Sequence, residues 1–210
     1  MRLASWIHRG REGFGQVVDG GVVDAVPRLD GRYPTLRSAL AAGALGEVRR
    51  ATEGASADHS FEEITWLPPI PHPEKILCVG VNYVAHREET GRSESEFPTL
   101  FTRFANTQVG HDQPLVRPRA STEFDYEAEL AVIVGKPAHH VRRAGAEGRL
   151  PGSGVIAMRR ASLAPLGQGA VRLSTAVASC VRAVQGDVHA LVKHPQKAYA
   201  SGDVHARTTL

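Results

Sequence analysis

The chain has 210 residues, 42% hydrophobic and 22% charged, which suits one globular domain with a sizeable core, alone or with a small appendage. Two cysteines, Cys78 and Cys180, exclude a disulfide framework, and no run reaches the roughly 18–20 apolar residues of a membrane span. The net charge of +3 is uneven: residues 1–140 hold 15 basic and 19 acidic residues (−4), residues 141–210 hold 10 and 3 (+7), so the basic balance belongs to the last third and does not indicate nucleic-acid binding.

The opening MRLASWIHRGREGFG lacks the apolar stretch of a signal peptide, so the expectation is a soluble cytoplasmic protein. Residues 1–70 read as a small α/β appendage. MRLASW, GFGQVVDGGVVDAV and FEEITWLPP carry strand-like apolar runs, and Asp19-Gly20-Gly21 is a hairpin signal between two of them. TLRSALAAGAL has helical spacing through Leu36, Leu40 and Leu45, with Gly43 as a terminator. Pro68, Pro69, Pro71 and Pro73 can continue neither a ladder nor a helix, so a linker falls there.

Residues 71–140 carry the chemistry. Ile76–Gly80 is a short apolar run of the kind found in a strand buried on both faces. Val84–Thr90 suits a short helix. Leu130–Gly135 reads as a second buried strand, preceded by Asp125, Glu127 and Glu129 at every second position. Strand side chains alternate faces, so these three carboxylates share one. Like charges on one face repel, and a buried unpaired carboxylate is costly. Such a face either stays in solvent or takes up a cation, and oxygen-only ligands favour a hard one, Mg²⁺, Mn²⁺ or Ca²⁺. His86 and Glu89, three apart, would share a helix face, where the carboxylate could orient the imidazole for acid–base work; an ordinary polar helix is the alternative. Cys78, inside an apolar run, reads as a packed small residue rather than a nucleophile.

The runs KILCVGVNYVAHREE, FPTLFTRFANTQVGHDQPLVRP and FDYEAELAVIVGK, in that order and spacing, resemble the fumarylacetoacetate hydrolase family, and residues 1–70 are similar to the appendage of its bacterial members. The resemblance implies an α+β, β-rich mixed roll, usually a homodimer, and a Mg²⁺- or Mn²⁺-dependent enzyme acting on 2-oxo or 2,4-dioxo acids. By motif, Glu127 and Glu129 match the family's two glutamate metal ligands. His86 matches its catalytic histidine, and Glu89 the carboxylate that pairs with it in the acylpyruvate hydrolase branch. Arg103 or Arg87 would hold an anionic group of a small-molecule substrate. No nucleic-acid or membrane partner is implied.

After Val141 the pattern departs. The family carries a third carboxylate about 29 residues after the second glutamate, where this chain has Met158. Residues 141–210 are rich in Ala, Arg and Gly and hold one aromatic residue, Tyr199. They read as a non-family basic tail, with a frameshifted reading of a GC-rich gene favoured over truncation, divergence or a binding tail. The roll is then expected to be incomplete, the tail to pack poorly, and the strand near 130–135 to keep an unpaired edge.

Overall fold

A computed structural model describes residues 1–89, 91–114, 116, 123–135, 137, 139–140, 152–162, 173–178 and 181–182; side chains of 85–86, 123–130 and the strands after 151 lie outside that description. Strands β1 (Arg2–His8), β2 (Arg11–Val18) and β3 (Gly21–Asp24) form an antiparallel meander. Asp19-Gly20 closes the second hairpin as expected, and Gly20 takes φ +79°, which glycine adopts at little cost.

Alternation along β1 and β2 sends side chains to two cores. Leu3 and Phe14 face three helices, α1 (Ala25–Arg28), α2 (Leu36–Ala41) and α3 (Leu45–Thr52), and pack with Leu29, Leu36, Leu40 and Val48. Ala4, Trp6 and Val17 face the other way, with Val22 and Ile64, under a strap made of β4 (His59–Ser60), a 3-10 turn (Phe61–Glu63) and β5 (Thr65–Leu67). Helices α1 and α2 start where the sequence offers caps. The Asp24 side chain accepts from the Val26 amide at 2.9 Å, and Thr35 and Ser38 form a reciprocal capping box. The proline segment forms no strand or helix, but it is pinned: Ser5 Oγ donates to the buried Pro69 carbonyl at 2.8 Å, and Gln108 Nε2 donates to Ile70 O at 3.3 Å.

The next elements are β6 (Ile76–Gly80), α4 (Val84–Glu89), β7 (Thr99–Arg103), a 3-10 turn (Ala105–Thr107) and β8 (Gln108–Val109). They are followed by β9 (Glu123–Ile133), β10 (Gly152–Ser162), β11 (Leu173–Ala178) and β12 (Val181–Arg182). One ten-stranded mixed sheet runs β4-β3-β2-β1-β12-β10-β11-β8, with β5 on β1 and β9 on β10; β6 and β7 pair separately. The fold is α+β and β-rich. Among the described residues, no helix is long and apolar enough to cross a membrane.

Three expectations are corrected. Strand β6 is not buried on both faces: Leu77 is 64% and Val79 38% exposed, because β7 is its one partner among the described residues and no layer covers that face. Val132 and Val134, read as buried, are 44% and 63% exposed, while Ile133 alone reaches the helical core. The stretch 152–162, expected to pack poorly, forms β10 and pairs with β9 at all eleven residues, from Glu123↔Ser162 to Ile133↔Gly152; β10 is the one partner of β9 among the described residues, so the expected unpaired edge stays on the other side of β9. In that stretch small residues obscured a strand built on Val155, Ile156 and Ala157.

Candidate active site

Helix α4 collects three of the candidate residues in six positions. It opens after Tyr83, whose carbonyl accepts from the Arg87 amide at 3.0 Å, and beyond its last residue, Glu89, Gly91 takes φ +63°. His86 and Glu89 lie on it one turn apart, the arrangement read from the sequence; the His86 side chain lies outside the described residues. Glu89 is exposed. The half-buried Arg87 places Nη1 3.8 Å from Glu94 Oε1, so its guanidinium leans toward the chain that follows the helix.

Arg103 has a different setting. It closes β7 opposite Ile76 and is buried. Its Nη2 donates to Thr107 O at 3.2 Å and Thr107 Oγ1 at 3.1 Å, while Thr107 Oγ1 donates to Phe104 O at 2.7 Å. Burial pulls the guanidinium below its ordinary value, with Cys78 acting weakly the other way. The group stays charged, since arginine starts so high. Arg103 therefore braces the turn between β7 and β8.

Asp125, Glu127 and Glu129 occupy alternate positions of the continuous strand β9, hence one face; their carboxylates lie outside the described residues. The register identifies what stands beside them. Asp125 is opposite Arg160, Glu127 opposite Met158 and Glu129 opposite Ile156; one strand further, Met158 is opposite Ala176 and Ile156 opposite Ala178. Directly opposed residues share a face. So the acidic face continues across β10 and β11 as Ile, Met, Ala and Ala, with Arg160 at one end. Carboxylates are the ligand type that a hard divalent ion takes, so Glu127 and Glu129 fit such an ion by their chemistry and their alternate placement on β9. Among the described residues, no group of three or more His, Cys, Asp or Glu side chains is gathered for a metal.

The metal candidates lie in the large sheet and Arg103 in the β6–β7 pair, with α4 joining β6 to β7.

Comparison with known proteins gives one consistent result. Residues 75–150 match the family described as fumarylacetoacetate (FAA) hydrolase C-terminal, so the match continues nine residues past Val141. The human "Oxaloacetate tautomerase FAHD2B, mitochondrial" is 34% identical over 137 residues, 64% of this chain and 44% of its own. The chain thus spans less than half the length of that relative. Among solved structures, fumarylacetoacetate hydrolase from Exiguobacterium antarcticum is similar with a TM-score of 0.60 at 25% identity, covering 77% of this chain and 56% of its own. Maleylpyruvate hydrolase from Sphingobium sp. SYK-6 gives 0.67 at 21%, covering 88% and 68%. A second structure of that hydrolase, in complex with manganese(II) and pyruvate, gives 0.59 at 22%, covering 77% and 59%.

Proposed function

Because the chain belongs to the fumarylacetoacetate hydrolase family, we propose that it descends from a divalent-ion-dependent enzyme that cleaves a carbon–carbon bond of acylpyruvate-type 2-oxo or 2,4-dioxo acids, and that this activity is weak in the chain as it stands. The observation that carries the reading is Glu127 and Glu129 at alternate positions of β9, inside the matched segment. The names of the relatives agree on chemistry: oxaloacetate, maleylpyruvate and pyruvate are all 2-oxo acids.

In this reading Glu127 and Glu129 hold Mg²⁺ or Mn²⁺, which supplies Lewis-acid polarisation of the substrate's 2-oxo group. His86, oriented by Glu89 one turn on, would take the proton of a water that adds to the second carbonyl; the carbon–carbon bond beside that carbon breaks, its electron pair passes to the 2-oxo fragment, and the products are a carboxylic acid and the 2-oxo acid in its enol form. Arg87, on the same helix, holds the substrate's anionic group, while Arg103 positions the β7–β8 turn. A homodimer in the cytoplasm belongs to the same proposal. Met158 supports its weak-activity clause, since a thioether is a soft, poor ligand for a hard ion and brings no charge.

Mn²⁺ binding to the full chain, followed by the EPR signal of the free ion, tests the site. Weak binding that disappears in Glu127→Gln/Glu129→Gln is expected; binding unchanged by that pair of substitutions overturns it. An acylpyruvate assay run alongside should show turnover near background, and robust metal-dependent cleavage would sink the weak-activity clause. A second reading, a catalytically silent frameshifted or truncated fragment or a subunit of an intact relative, is favoured by Met158 opposite Glu127. Translating the other frames downstream of the Val141 codon separates it: an acidic motif reappearing there in family spacing supports a frameshift.

A further inference from the structure

A cleft on other elements has its own chemistry. Strap residues between Phe61 and Trp66 and the turn His111–Gln113 line a cleft of about 290 Å³ that lies wide open to solvent. The two backbones meet so closely that a Cβ at Gly110 would stand 1.9 Å from the Trp66 carbonyl oxygen, so only glycine lets the turn seat there. That contact sets His111 edge-on to Trp66, ring centres 6.1 Å apart at 71°, and Phe61 flanks Trp66 at 5.6 Å. Asp112, held at φ +57°, brings Oδ2 to 3.5 Å from His111 Nε2. Glu62 lines the same cleft, and among the described residues no Lys or Arg does.

Rings and carboxylates of this kind reject anions. An uncharged apolar guest would cover two carboxylates without satisfying them. A cation is attracted by both, through the ring faces and through the acids. An ammonium carrying alkyl groups is the best match, because it sheds water more easily than a bare ammonium and presents methyl groups to the rings. We propose that this cleft binds a small alkylammonium ion, with Trp66 and Phe61 as its wall and Glu62 and Asp112 as its counter-charges. The site is independent of the proposed 2-oxo acid chemistry, whose substrates are anions, so either can fail without the other.

Tryptophan fluorescence reads it in the full chain. Trp6 is fully enclosed, so a solute that changes the emission reports on Trp66. Choline chloride is titrated at constant ionic strength against 3,3-dimethylbutan-1-ol, its uncharged counterpart in shape. Saturable binding in the millimolar range, about tenfold tighter for choline than for the alcohol, is expected. Glu62→Gln/Asp112→Asn, both at exposed positions, should weaken choline about tenfold with an unchanged circular dichroism spectrum. Saturation transfer to the choline methyl protons should vanish in Trp66→Leu. A linear, unsaturated response, equal responses to choline and the alcohol, or full choline affinity in the doubly substituted chain would each overturn the proposal.

Discussion

Asp58 accepts the Asp24 amide at 2.8 Å and pairs with Arg28, while Asp24 caps α1 and faces His59, with Nε2 4.0 Å from Oδ2. The two acids titrate in opposite senses. Burial opposes ionisation of Asp58, but the hydrogen bonds from Arg28 and the Asp24 amide prevail and hold its carboxyl below the ordinary 3.8. For Asp24 burial prevails over the Val26 amide and His59, and its carboxyl sits above 3.8. A depressed acid stabilises the fold above its unfolded pKa and loses that contribution as pH falls through the folded one; a raised acid does the reverse. Asp58→Asn should therefore cost about 1 kcal/mol at neutral pH and flatten the loss of stability between about pH 5 and pH 2. Asp24→Asn keeps the cap and should steepen that loss. Urea midpoints measured across the range check both signs, and parallel acid limbs for the two variants would contradict the assignment. None of this knot could be read from the chain, since Asp24 and Asp58 are brought together only when the strap folds back over β3.

Strand β9 shows what local pattern makes legible and where it stops. Acids at 125, 127 and 129 declare a strand face because a period of two needs no tertiary information. Its exposure was misread, since burial depends on what lies over the sheet, and Val132 and Val134 have too little above them. The partner β10 stayed hidden because GSGVIAMRRAS mixes small, apolar and basic residues without alternation, and its strand state comes from pairing with β9 rather than from its own pattern. The helix α4 was legible from spacing, whereas the bracing of the 3-10 turn by Arg103 was not, since nothing in FTRFANT distinguishes a ligand-holding arginine from a structural one. The β9–β10 register makes a direct prediction. Met158→Asp, opposite Glu127, should tighten Mn²⁺ binding by roughly tenfold, as a further carboxylate joins Glu127 and Glu129. Unchanged affinity by calorimetry would mean that position 158 does not stand beside the acidic pair.

At the scale of the molecule, the buried apolar residues among those described lie between Leu3 and Ile64, while the β6–β7 pair turns an apolar face outward. Leu77 and Val79 share that face with Leu100, itself 60% exposed, because Val79 and Leu100 are register partners. Contiguous exposed apolar surface of this kind promotes self-association. Leu77→Lys/Leu100→Lys should raise the concentration at which light scattering first grows, while leaving the urea midpoint reported by Trp6 in place. A scattering threshold that does not move would show that this face is not what drives association.

The pairing of Arg2 and Leu3 with Arg182 and Val181 also has a consequence in time. A ribosome adds about 5–20 residues per second, and the helices, β2 and the strap that enclose Trp6 and Phe14 are complete by residue 67. Strand β12 is made about 180 residues after β1 begins, so β1 waits for this neighbour beside an already consolidated core. During refolding the same separation makes this the contact with the largest loop to close. Burial of Trp6 should be fast and closure of β1 onto β12 slow, so the two sides of one strand are completed at very different times.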